Sequence, residues 1–409
     1  MGIEDGGIRH KASPRQKRST QVDDYGRLER CISVERMMRT RTPPVLDRRT
    51  LNRALLARQL LLRRWSLSVS QALERLVGLQ AQAPNPPYFG LWTRLEKFKP
   101  EALSKLISDR KAVRIALMRS TIHLVTARDC FALRSVVQPV IERSMLNSPH
   151  GRGLKDLDIK SVLAAGRALL EQEPRTYAEL GELLKERWPD RVGLDLAYAL
   201  RTYAPLVQVP PRGLWNNGGP AAHTIADSWL PKTAKTTTSV DGCMLRYLKA
   251  FGPASVNDAQ AWSGLTRLRE VFERLRPKLR VFRDEGGIEL FDLPNAPRPE
   301  PDTPSPLRFL PEFDNLLLSH ADRSRVIASD HRKQLSTLNG MPPGTVLLDG
   351  FVSGTWKIKR SRTTAVLRVE SFVALPKRDR SALSEEGAKL LNFAASDVAK
   401  HEIQFGLRA

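Results

Sequence analysis

The chain runs to 409 residues, 41% hydrophobic and 27% charged, enough for two to four buried cores at about 100–200 residues per domain. No apolar run approaches the roughly 18 residues of a membrane span, no apolar leader opens the chain, and the three cysteines, Cys31, Cys130 and Cys243, lie far apart; a spanning helix, a secretion signal and a disulfide scaffold are not expected, and a reducing cytoplasm is. Lys plus Arg outnumber Asp plus Glu by 66 to 44, a net charge of +22, which predicts a polyanionic partner: nucleic acid first, with an anionic membrane surface second for want of a basic amphipathic helix with an aromatic face.

Residues 1–45 are polar and basic and predict a disordered tail closed by Pro43-Pro44. Met37 and Met38, just ahead of the first periodic segment, offer an alternative start of translation. Leu51 to Arg64 has apolar residues at helical spacing. The prolines of GLQAQAPNPPYFGLW (78–92) stop regular structure before Tyr88 to Trp92 restarts a helix. Pro100 opens a further helix, and Ala116 to Val125 alternates as one strand. Helices followed by a short strand predict a first winged-helix unit over 46–165.

A second unit is expected over 166–235. Thr176 and Glu179 form a capping box, Gly193 to Tyr203 a helix, and 206–215 two short strands as a wing. A third, over 236–300, ends in the expected wing Leu279 to Phe291, turning at Glu285-Gly286-Gly287. A proline-rich linker, 294–306, follows. In the last unit, 301–409, residues 345–359 and 364–370 alternate as antiparallel strands around an Asp349-Gly350 turn, with a helix from Ser384 to Phe393. The expected fold class is α+β: three tandem winged-helix units, then a C-terminal β-barrel with one closing helix.

Common enzyme signatures are missing. There is no phosphate-cradling glycine loop, no nucleophile elbow, and no His or Cys pair at metal-ligand spacing, so no metal or redox cofactor is expected. Gln80-Ala81-Gln82 stands before the proline-broken turn. In an extended segment its two amides point to one face, offering donors and acceptors that do not ionise. Two readings follow: they satisfy turn backbone, or they hold a water and aim its lone pair at an electrophile. Arg119, Thr121 and His123 suit either a phosphate contact or a strand edge. The 312–325 segment suits a structural ion-pair network more than catalysis, with Arg323 and Arg325 as candidates for the DNA backbone. Lys357 and Lys359, with Arg360 and Arg362, form a basic strand end fit for phosphate or for solvent. Trp92, Trp215 and Trp356 read as core or rim aromatics.

These segments together resemble the AlkZ-like DNA glycosylases, a winged-helix superfamily that also includes YcaQ. The matching residues are LARQ (56–59), GLQAQAPNPPYFGLWTR (78–94), RSTIHLVTARD (119–129), LPEFDNLLLSHADRSRVI (310–327) and LLDGFVSGTWK (347–357). The resemblance implies three tandem winged helices and a C-terminal β-barrel around a C-shaped cleft for duplex DNA. It implies that Gln80 and Gln82 are the catalytic Gln-x-Gln motif of the branch acting on bulky N7-alkylated purines, interstrand crosslinks included; Ala81 is smaller than the middle residue of some relatives. A monomeric, monofunctional glycosylase without cofactor is the expectation, at the nucleoid. The charge and the tandem winged helices fit a non-catalytic DNA-binding protein or transcription regulator equally; the Gln-x-Gln motif is what separates the two.

Overall fold

The computed structural model describes residues 43–335 and 342–408. Most of the expected tail, with Cys31 and the Met37-Met38 alternative, lies outside the described residues. Its boundary at 45 is corrected: Val45–Leu46 is a strand, β1, pairing in parallel with Arg283 and Asp284. Asp47 then starts the helix Arg48–Arg58 by accepting from the Thr50 N–H at 2.6 Å. That helix stops short of the expected Arg64, because Leu60 turns left-handed at φ 60°. Ser68 and Gln71 form a capping box on the helix Val69–Arg75.

Five strands from two expected units make one central sheet. These are β2 (Leu79–Gln80), β3 (Ala112–Ala116), β4 (Ile122–Thr126), β5 (Leu206–Gln208) and β6 (His223–Ile225), in the order β2-β4-β3-β5-β6. The single strand expected over 116–125 is a hairpin, because the chain reverses at Met118–Ser120, where Arg119 and Ser120 take φ 55° and 58°. The second wing is also corrected. β5 pairs not within 206–215 but with β6, and its other edge pairs with β3 through Ile115↔Val207. The two hairpins therefore fuse edge to edge instead of standing free.

The expected third wing is present as the antiparallel hairpin β7 (Arg280–Asp284) and β8 (Glu289–Asp292). The proline-rich stretch after it is no loose linker. The guanidinium Nε atoms of Arg49, Arg53 and Arg58 donate to the carbonyls of Pro301 (2.7 Å), Thr303 (2.7 Å) and Pro297 (3.3 Å).

The C-terminal strands are β9 (Arg308–Leu310), β10 (Gly344–Leu348), β11 (Phe351–Arg360), β12 (Thr364–Ser371) and β13 (Lys400–Leu407). Asp349 and Gly350 turn β10 into β11 with φ of 45° and 82°, as their types require. The sheet runs β13-β12-β11-β10-β9 and stays open, with β9 and β13 as edges, so the closed barrel is corrected to an open sheet. The physical reason lies in its last pair. β12 and β13 are parallel, which requires a crossover, supplied by the helix Lys377–Ala394. Leu383, Leu390 and Leu391 of that helix bury against Leu367 and Val369, covering one face by packing instead of closure.

Candidate active site

The Gln80 segment is fixed from below. Gly78 sits at φ 82°, and a Cβ there would lie 2.6 Å from the Val125 side chain and 3.0 Å from the Leu124 carbonyl, so the turn into β2 admits only glycine. Asn315 donates its side-chain N–H to the carbonyls of Gly78 (2.7 Å) and Leu76 (3.3 Å). The preceding residue, Asp314, forms a two-pronged ion pair with Arg94 at 2.8 Å on each arm, both side chains sealed from solvent. Asp314 and Asn315 of the 312–325 segment thus anchor the Gln80 turn. Its C-terminal end behaves alike: Arg325 donates to the Pro253 carbonyl at 2.7 Å, and Asp258 stands 3.7 Å away.

Arg114 on β3, absent from the sequence reading, holds the segment from the side. Its guanidinium donates to the carbonyls of Ala81 (2.7 Å) and Ala83 (3.3 Å), bracketing Gln82, and to the Gln208 side chain at 3.0 Å. Burial pushes its pKa down to about 10, so it stays charged at neutral pH. An arginine inside an apolar strand was its only signal.

The two amides emerge from this frame on one side. Gln80 lies opposite His123 in the register of β2 and β4, and the Ala81 N–H continues the ladder to the Ile122 carbonyl at 2.8 Å. Ala81 is fully buried in the core beneath, so by strand alternation Gln80 and Gln82 face the other way. Gln80 is 7% exposed, and Gln82 is open to solvent.

Each amide is held by its oxygen. Arg119 donates to Gln80 Oε1 at 2.6 Å, and the Ile122 N–H donates to Gln82 Oε1 at 3.3 Å. Both partners are donors only, so both orientations are decided: the oxygens face the protein, each with a second lone pair, and the NH2 groups face outward. The other arm of Arg119 donates to the Trp262 carbonyl, in the last turn of the helix Val256–Ser263, where unpaired carbonyls gather negative charge. Burial, then the charge of Arg323, pushes the Arg119 pKa down to about 10.

The expected phosphate ligands divide. Arg119 is spent on Gln80 and Trp262. His123 is 2% exposed, lies 3.0 Å from the Thr121 carbonyl through Nδ1, and is kept neutral by burial, its pKa driven down to about 3. The Thr121 hydroxyl donates to the Met118 carbonyl at 3.0 Å. Arg325, 4% exposed, has no face to turn to a phosphate. The donors of Arg119, His123 and Arg325 thus meet protein acceptors. Arg323 is half-buried, close enough to Arg119 to lower its pKa, and its Nε has no partner among the described residues. Lys357 and Lys359 project from β11 into solvent, with no carboxylate within ion-pair distance among the described residues. Trp92 and Trp356 are buried and Trp215 half-buried, core and rim as expected. No group of three or more His, Cys, Asp or Glu side chains converges on a metal-sized site among the described residues, and none of the described helices is long and apolar enough to cross a membrane.

Residues 73–393 match the family model described as DNA glycosylase AlkZ-like. A curated relative, the interstrand DNA cross-link repair glycosylase of Streptomyces sahachiroi, is 23% identical over 330 residues, covering 74% of this chain and 85% of that protein. The solved structure of the Streptomyces sahachiroi DNA glycosylase AlkZ superposes with a TM-score of 0.72 at 20% identity, over 88% of this chain and all of that one.

Proposed function

This chain belongs to the AlkZ-like DNA glycosylase family, and on that premise we propose that it hydrolyses the N-glycosidic bond of cationic N7-alkylated purines in duplex DNA, interstrand crosslinks among them. The observation that carries the reading is the amide pair, Gln80 at the end of β2 and Gln82 two residues beyond it, each held through its oxygen, by Arg119 and by the Ile122 N–H.

The chemistry follows from what amides are able to do. Alkylation at N7 places a positive charge on the base. When the C1′–N9 bond breaks, its electron pair neutralises that charge, so no acid is needed to protonate the leaving group. This removes half of the carboxylate pair on which ordinary glycoside hydrolysis depends. What remains is to hold a water beneath C1′. The remaining lone pairs of Gln80 Oε1 and Gln82 Oε1 accept hydrogen bonds from its O–H groups while the NH2 groups donate to the sugar. The water oxygen bonds to C1′, one of its protons passes to solvent, and an abasic site is left. Orientation alone is worth several kcal/mol of barrier. An uncharged base is a far poorer leaving group, so part of the selectivity resides in the lesion. Lys357, Lys359 and Arg323 are the cations proposed to take the DNA phosphates.

A duplex carrying N7-methylguanine, incubated with the protein and then treated with alkali, tests this. Strand cleavage is expected with the native chain. It should fall by about a hundredfold or more in Gln80→Ala and Gln82→Ala, a barrier change of roughly 2.7 kcal/mol or more, while duplex affinity holds. Binding without cleavage by the native chain would instead mark a DNA-binding protein, and joint loss of binding and cleavage would make the amides structural.

A further inference from the structure

The turn Met118–Ser120, between β3 and β4, supports both amides. Arg119 holds Gln80, and Ile122, two residues past Ser120, holds Gln82. Arg119 and Ser120 take φ 55° and 58°, a left-handed pair that side chains resist, so the turn needs support from outside to keep its shape. Two backbone bonds close it: the Ser120 N–H donates to the Leu117 carbonyl at 2.9 Å, and the Thr121 N–H to the Met118 carbonyl at 3.1 Å. The Ser120 carbonyl accepts instead from Arg201 at 2.6 Å, and the Ser120 hydroxyl accepts from the other arm of the same guanidinium at 3.2 Å.

Arg201 stands in the last turn of the helix Gly193–Tyr203, which belongs to the second expected unit. Leu196, Ala197, Ala199 and Leu200 seat that helix in a core of its own. β5 follows it, and the register Ile115↔Val207 lays the start of β5 beside the end of β3. The fused sheet thereby delivers the end of the helix to the 118–120 turn. The guanidinium also lies 5.8 Å from the centroid of the Tyr198 ring, a cation–π distance, and the His150 ring stacks on Tyr198 at 4.1 Å. No carboxylate is within ion-pair distance of Arg201 among the described residues; its contacts there are Ser120 and the ring.

We propose that Arg201 is a positioning residue for the glycosidic hydrolysis, setting the aim of both glutamines from another unit of the chain. The assignment rests on the glycosylase reading above. Arg201 acts through the Ser120 peptide, which stands between the residue that orients Gln80 and the one that orients Gln82. A charge-assisted fork on one residue is among the stronger hydrogen-bond arrangements, and here it pins backbone. Without it the left-handed pair relaxes, and both amide oxygens drift from the water they aim.

A double-mutant cycle tests this, with the full chain, a duplex carrying N7-methylguanine and the single-turnover rate at saturating protein. Arg201→Ala is expected to slow release by about tenfold while duplex affinity holds. Arg201→Lys, which keeps the charge and loses the fork, should fall between the two. Added to Arg119→Ala, Arg201→Ala should cost only about twofold to threefold more, because Gln82 alone is then left to orient. A native rate in folded Arg201→Ala overturns the role, and so does a loss that multiplies in full onto that of Arg119→Ala. Weaker duplex binding with a native rate at saturation also overturns it and makes Arg201 a phosphate ligand. Where Arg201→Ala does not fold, Arg201→Gln, which keeps N–H donors without the charge, is read by the same outcomes. Each of these results leaves the glycosylase reading standing. No release of the methyl adduct by the native protein overturns both.

Discussion

Arg119 occupies a left-handed turn, a conformation that costs a non-glycine residue of order 1–3 kcal/mol. What the turn achieves is aim: it carries the guanidinium to Gln80 on one arm and to a helix terminus on the other. Arg119→Ala should leave Gln80 free to rotate. A hydrogen bond to a charged group is worth about 1.5–3 kcal/mol, so release of N7-methylguanine should slow by roughly tenfold to a hundredfold, with duplex affinity retained. Arg119→Lys, which keeps the charge and loses the fork, should recover part of the rate. Neither glutamine titrates and His123 is already neutral, so the pH profile of the native protein should show no inflection near 6.5, the ordinary histidine value. An inflection there in single-turnover rates would point to a different base. The alternation of Gln80-Ala81-Gln82 was legible from spacing alone. The purpose of Arg119 was not, because it depends on a positive φ and on a carbonyl 143 residues away.

The central sheet buries two histidines, His123 on β4 and His223 on β6. Burial drives their pKa values down to about 3 and about 4. Above pH 6.5 both are neutral, folded or unfolded. As pH falls below 6.5 the unfolded chain binds protons that the folded chain refuses, so stability falls with acid until the folded values are reached. His223 stacks on Tyr177 with centroids 4.1 Å apart, and neither of its ring nitrogens has a partner among the described residues. His223→Phe should therefore fold at neutral pH and flatten the acid slope in urea titrations between pH 6.5 and about 4. The Arg94–Asp314 pair is the opposite case. Removing one charge leaves the other buried alone, so Asp314→Ala should cost about 3–5 kcal/mol in equilibrium unfolding. Capping boxes, the Asp349-Gly350 turn and the third hairpin were legible because each is a short-range pattern. The fused hairpins and the open C-terminal sheet were not, since strand partners at long range leave no local mark.

At the scale of the molecule, a net charge of +22 makes duplex affinity a function of salt. If Lys357 and Lys359 each neutralise one phosphate, replacing both with alanine should reduce the slope of log affinity against log salt by about 1.8. An unchanged slope in fluorescence anisotropy titrations would place both lysines away from the backbone. The composition announced this polyanion-binding character, but not which cations are left over once the buried arginines have spent theirs on carbonyls and carboxylates. The seam between β3 and β5 has one more effect. It joins segments that lie some ninety residues apart in sequence, Arg114 reaching Gln208 across it at 3.0 Å. A protease that nicks the intervening helical stretch should thus liberate no autonomous half: the two fragments should co-elute, still zipped, until denaturant parts them.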